Sequence, residues 1–133
     1  MNRKTVFALA CAFATPAVCA QGYPSKSVRY IVPSLPGGGS DIVGRMLAAH
    51  LSQTFKQQVV VDNRAGGGGN IGAEIAAKSA PDGHTIFQMA VTHAINVTLY
   101  KNLAYDIVRD FTPLTRLASS PLVLTVHPSL PVK

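Results

Sequence analysis

The chain has 133 residues, carries 12 Lys and Arg against 6 Asp and Glu for a net charge of +6, and contains two cysteines. Its basic residues are scattered singly rather than gathered in a stripe with aromatics, which argues against a nucleic-acid surface. The length suffices for one modest domain and no more.

In chain order, the basic start Asn2-Arg3-Lys4, the apolar run Val6 to Ala14 and the small residues Val18-Cys19-Ala20 before Gln21 have the pattern of a cleavable export signal over residues 1–20. The apolar run is shorter than the roughly 18 residues a membrane-spanning helix needs, so export fits better than anchoring. Cleavage after Ala20 removes both Cys11 and Cys19 and leaves 113 residues. Ten basic and six acidic residues remain, a charge of +4. With no disulfide available, stability must come from an apolar core. Neither cysteine has the flanking residues of a lipid-anchoring site.

Val28 to Val32 is apolar on both faces and rich in β-formers, the pattern of a strand inside a parallel sheet. Pro33 and Pro36 stop it, because neither can donate to a ladder. A glycine loop, Pro36 to Gly39, leads into a helix from Asp41 to about Lys56 in which Val43, Leu47, Leu51 and Phe55 align. Ser40 or Asp41 is the expected cap. Gln58 to Asp62 reads as a second strand, and Asn63-Arg64-Ala65 runs into four glycines, Gly66 to Gly69. Asn70 is the expected cap of a helix over 71–80, which Pro81-Asp82-Gly83 ends. Thr85 to Val91 reads as a third strand, Ala94 to Tyr100 as a short helix, Leu103 to Phe111 as turn-rich, and Leu122 to Val126 as a strand ended by Pro128.

Strands and helices alternating over short links predict right-handed crossovers and an α/β fold, a mostly parallel sheet with flanking helices. All strand-to-helix loops of such a sheet lie at one edge, where ligands bind. Leu35 to Asp41, Ala65 to Asn70 and Thr92-His93 should therefore converge. A sheet of three or four strands leaves an unpaired edge, so the chain reads as an incomplete domain.

The chemistry implied is anion binding. Glycine turns that open helices present backbone N–H groups without partners, and the helix dipole adds about half a positive charge there. Gly39 to Gly44 has the spacing of a phosphate loop, but Arg45 and Met46 stand where Lys and Ser or Thr are required. Gly67, Gly69 and Gly72 fit a dinucleotide fingerprint, yet nothing acidic lies between Asp82 and Asp106 to hold a ribose. His50, His84, His93 and His127 form no metal-binding pair, and no serine elbow occurs. Catalytic residues, metals and cofactors are accordingly not expected, and the chain reads as a binding protein rather than an enzyme. Ser40 reads as a cap rather than a nucleophile. Asp41 would compete with an anion for the same amides, which favours a loop-ordering role. Arg64 either pairs with a ligand carboxylate or is a solvated surface arginine.

Several motifs in order carry a closer likeness: Tyr23-Pro24-Ser25, Ile31-Val32-Pro33, Pro36-Gly37-Gly38-Gly39-Ser40-Asp41, Asn63-Arg64-Ala65-Gly66, Gly68-Gly69-Asn70-Ile71-Gly72, Ala80-Pro81-Asp82-Gly83, Ala94-Ile95-Asn96, Tyr105-Asp106 and Asp110-Phe111. Together they resemble the periplasmic solute receptors of tripartite tricarboxylate transporters, the Bug family. The resemblance implies a periplasmic binding protein of the type II Venus-flytrap kind, of which residues 21–133 form most of the first lobe, ending near the crossing into the second. It implies a monomer in the periplasm that captures a small organic carboxylate and hands it to membrane permease subunits. Carried over by motif, the carboxylate would be gripped through backbone amides and ordered water by Pro36, Gly37, Gly38, Gly39, Ser40 and Asp41 and by Gly67, Gly68, Gly69 and Asn70. Thr92 and His93 would line the cleft. Leu35, Gly67 and Ala90 depart from the family pattern, which bears on ligand identity. A nucleotide- or phosphoester-binding enzyme domain and a receptor remnant without function of its own are the alternative readings.

Overall fold

The computed structural model describes residues 22–121 with 123, 125–127, 129 and 130. The expected export signal lies outside the described residues, as do Leu122, Leu124 and Pro128 of the expected fourth strand. Val123, Thr125 and Val126 are not in a strand.

The element order is β1 (Val28–Val32), α1 (Gly39–Phe55), β2 (Val59–Asn63), a 3-10 turn (Gly67–Gly69), α2 (Asn70–Ala77), β3 (Thr85–Phe87) and α3 (Val91–Leu99). The strands form one parallel sheet in the order β2-β1-β3. Val28 pairs with Val59 and Val32 with Asn63 on one side, and Tyr30 pairs with Ile86 on the other. The doubly apolar pattern of β1 thus has its cause: it is the middle strand, and Val28, Tyr30, Ile31 and Val32 are fully buried.

Side chains alternate across a strand, so the two faces of β1 carry different partners. Val28, Tyr30 and Val32 join Val59, Ala48, Leu47, Leu51, Phe55, Val61 and Ile86 in the core beneath α1. Ile31 points to the opposite face, and α2, with Ala73 fully buried, packs along β1 and β3. Helix α1 approaches closely because Gly44 has no side chain; a Cβ there would lie 2.9 Å from Val32 Cγ2. Lys56, in the left-handed conformation, ends α1. No helix among the described residues is long and apolar enough to cross a membrane.

Several expected boundaries move. Helix α1 begins at Gly39 with Gly38 as its cap, so neither Ser40 nor Asp41 caps it. Helix α2 begins at Asn70 and ends at Ala77, and its cap is Gly69. Asn70 does not cap its own helix because its Oδ1 accepts hydrogen bonds from Asn96 and Tyr105. Strand β3 stops at Phe87, and α3 starts three residues earlier than expected, because the His93 ring accepts the Ala90 N–H.

Candidate functional site

The C-terminal ends of all three strands feed the same edge. At the first, Pro33 breaks the ladder and the chain turns through Leu35 to Gly38 before α1 begins. Gly37 has φ +81, a conformation that glycine adopts without the penalty a side chain brings. Its N–H donates to Asp41 Oδ2 at 2.8 Å, and the Gly38 N–H donates to Leu35 O at 3.3 Å. Pro36 has no N–H. The N–H groups of Gly39, Ser40 and Asp41, the first three of the helix, have no acceptor among the described residues.

Two amide side chains fix this turn from below. Asn63, at the end of β2, donates to Ser34 O at 3.1 Å and to Asp41 Oδ1 at 2.9 Å. Gln88, just past β3, donates to Ser40 O at 3.1 Å and accepts the Tyr30 hydroxyl at 2.9 Å. Burial pushes the Tyr30 hydroxyl up to about 12, so it stays a donor at any ordinary pH. Asp41, only 2% exposed, is held at a pKa of about 2 by the Arg45 guanidinium at 2.9 Å, the Gly37 N–H and Asn63. The carboxylate therefore orders the loop, as its position suggested. With Arg45 neutralising it, the free amides at the start of α1 are left as the net attraction for an anion.

The second turn is built from four consecutive glycines with positive φ: Gly66 at +117, Gly67 at +56, Gly68 at +66 and Gly69 at +92. Each carbonyl has a donor. Gly66 O accepts from Gly69 N and Gly67 O from Asn70 N. Gly68 O accepts from Asn96 Nδ2 at 3.1 Å and Gly69 O from His93 Nε2 at 3.3 Å. In a trans peptide the N–H lies opposite the C=O. Because the carbonyls of Gly66 and Gly67 point inward to their donors, the N–H groups of Gly67 and Gly68 point outward, and neither has an acceptor among the described residues. Two unpaired amides in succession in a turn are donors of the kind that an anion can accept. The amides of Gly69 and Asn70, by contrast, are used inside the turn.

Of the third segment, Thr92 is exposed and His93 is fully buried. His93 Nδ1 accepts the Ala90 N–H at 3.0 Å, which leaves the proton on Nε2 for Gly69 O. It supports the second turn from behind rather than opening onto a cleft, and Phe87 packs edge-on against its ring at 5.1 Å. Arg64 is engaged as well, with its Nε 2.9 Å from Asp62 Oδ1. Burial works against ionisation of Asp62, but hydrogen bonds from Arg29 and Arg64 outweigh it and lower its pKa.

Asn63, Gln88, Asn96 and Tyr105 support the two turns without any signal of that role in residue type or spacing, although Asn63, Asn96 and Tyr105 fall within the motifs that carry the resemblance. A further signal was available in the caps: none of α1, α2 and α3 has a side-chain hydrogen bond from its own cap residue, which is Gly38, Gly69 or Ala90. Among the described residues no three His, Cys, Asp or Glu side chains gather closely enough to hold a metal ion.

A family model described as "Tripartite tricarboxylate transporter family receptor" matches residues 43–133. Protein BugT of Bordetella pertussis is 38% identical over 127 residues, covering 94% of this chain and 39% of that one. Among solved structures, MatC from Rhodopseudomonas palustris with bound malate superposes with a TM-score of 0.65 at 38% identity, over 68% of this chain and 31% of that one. The periplasmic binding protein BugD superposes with a TM-score of 0.61 at 39% identity, over 63% of this chain and 28% of that one. The α/β sheet is thus similar to part of a periplasmic binding protein. The chain spans only 35–40% of the length of the curated relatives it matches.

Proposed function

The chain belongs to the tripartite tricarboxylate transporter receptor family, and from that premise we propose that it acts as an extracytoplasmic solute-binding receptor for a small organic carboxylate. The observation that carries this reading is the pair of turns, each of which leaves backbone amides without an acceptor among the described residues. Gly39, Ser40 and Asp41 supply one set of donors, and Gly67 and Gly68 the other. Pro36, Gly37, Gly38, Gly69 and Asn70 shape the two turns. Carboxylate oxygens accept several N–H bonds at once, and a charged acceptor makes each worth about 1.5–3 kcal/mol. Malate bound to a similar receptor supports the ligand class.

In this reading the chain forms most of a first lobe, and a second lobe in a complete receptor closes over the ligand. The receptor is exported to the periplasm behind residues 1–20, works as a monomer and delivers its ligand to membrane permease subunits. It binds and releases without making or breaking bonds. A thermal-shift screen tests the class of ligand. Malate and other dicarboxylates are expected to raise the melting temperature, and NAD and ATP to leave it unchanged. Stabilisation by NAD or ATP alone would overturn the receptor reading in favour of a nucleotide site.

A further inference from the structure

The glycine turn is an unusual element to leave unsupported. Glycine populates positive and negative φ about equally, so four glycines in a row can reorient their peptide planes at little cost. The bonds that turn the Gly67 and Gly68 amides outward, Gly69 N–H to Gly66 O and Asn70 N–H to Gly67 O, then last only if Gly69 and Asn70 are themselves held. The side chains that hold them come from later in the chain. Asn96 Nδ2 donates both to Gly68 O at 3.1 Å and to Asn70 Oδ1 at 2.8 Å. Tyr105 Oη donates to the same Asn70 oxygen at 2.8 Å. Asn70 Oδ1 is therefore saturated, with one bond for each lone pair, which fixes its amide and with it the Asn96 amide. All three residues are buried or half-buried. The Tyr105 ring in turn packs edge-on against Phe111, which stacks on Phe87.

We propose that Tyr105, Asn70 and Asn96 form a positioning chain that fixes the Gly68–Gly69 peptide plane and the Asn70 side chain, keeps the Gly69 and Asn70 N–H groups on Gly66 O and Gly67 O, and so holds the Gly67 and Gly68 amides outward, ready for an anion before it arrives. The three side chains touch no ligand in this scheme; they act through the turn. Only the consequence for affinity rests on the carboxylate reading, since locking of the turn is a property of the chain alone.

The test uses the whole chain labelled with nitrogen-15 and the variants Tyr105→Phe, Asn96→Ala and Asn70→Asp. Relaxation dispersion and amide hydrogen exchange at Gly67, Gly68 and Gly69 are read well below the melting temperature, followed by titration with malate. Tyr105→Phe keeps the ring against Phe111 and removes only the hydroxyl. It is expected to introduce microsecond-to-millisecond exchange at the three glycines and to weaken malate binding about threefold to tenfold, the effect of one lost buried hydrogen bond. Asn96→Ala is expected to do more. Asn70→Asp retains an acceptor for both donors and should keep native-like glycine amides. Should Asn96→Ala fail to fold, Tyr105→Phe decides. A lower melting temperature with unmoved glycine amides in Tyr105→Phe overturns the proposal, because it leaves the residue a structural role only. Glycines that loosen in a chain that never binds malate would uphold the positioning chain and sink the carboxylate reading. Malate binding equally well to native and variant chains, with glycine amides unchanged, would do the reverse.

Discussion

Gly38 caps α1 with φ −73 and ψ 162, a conformation that any residue adopts, yet it offers no side chain to the amides behind it. Asp, Ser, Thr or Asn would stabilise the helix more at such a position by accepting the N–H of the second or third helical residue, here Ser40 or Asp41. Leaving the cap bare keeps those donors available. Gly38→Asp is accordingly expected to hold or slightly raise the melting temperature while abolishing malate binding, because the new carboxylate occupies the anion site; normal binding in this variant would remove the first turn from the site. Gly69 is constrained differently. With φ +92 and a Cβ position 2.8 Å from His93 Nε2, Gly69→Ala should cost about 1–3 kcal/mol in chemical denaturation, through left-handed strain and overpacking. Asp41 gives the fold a pH signature. Its pKa falls from 3.8 unfolded to about 2 folded, through Arg45, the Gly37 N–H and Asn63, so the folded state binds its proton more weakly. The stability it contributes is present above pH 4 and lost as the pH falls through about 2. Denaturation of Asp41→Asn across this range should lack that component of the acid loss.

At the scale of elements, α1 and β1 set the first turn together. Gly44 lets the helix sit against Val32 and Tyr30, and the same contact places Gln88 between the Tyr30 hydroxyl and the Ser40 carbonyl. A methyl at Gly44 would lie 2.9 Å from both Val32 Cγ2 and Gln88 Oε1. Gly44→Ala should therefore destabilise by about 1–3 kcal/mol, as overpacking does, and shift the Ser40 amide resonance. Unchanged stability would mean that the helix can move away from the sheet without cost. The order of elements from β1 to α3 was legible in the sequence, because apolar periodicity and glycine or proline breaks are local signals. Several boundaries were not. Asn70 has the residue type of a cap, but Asn96 and Tyr105, distant in sequence, recruit its side chain. Likewise the start of α3 depends on His93 turning back to Ala90. Tertiary partners decided the first, and the second is a local contact made by a ring whose other nitrogen is held by the distant Gly69 carbonyl, so residue type alone signals neither.

Across the whole molecule, the parallel sheet gathers three strand ends at one edge, and two of them carry turns with outward amides. The two glycine loops were legible as the candidate site because each joins a strand end to a helix start through a run of glycines, which the link from β3 to α3 lacks. Which of their amides stay free was not, since that depends on Asp41 taking the Gly37 N–H and on the turn consuming its own Gly69 and Asn70 N–H groups. His93 was expected beside the cleft and lies buried behind the second turn. Beyond α3 the chain has no regular element through Pro121, and its anchors are single side chains such as Tyr105 and Phe111, which periodicity cannot reveal. Carboxylate capture is tested most directly by titrating the nitrogen-15-labelled chain with malate and following every backbone amide. Saturable shifts concentrated at Gly39, Ser40, Asp41, Gly67 and Gly68 are expected, with a Kd of about 1 mM, as a few hydrogen bonds from one lobe would give. Saturable shifts centred elsewhere, or none at these five amides, would contradict carboxylate binding by the two turns.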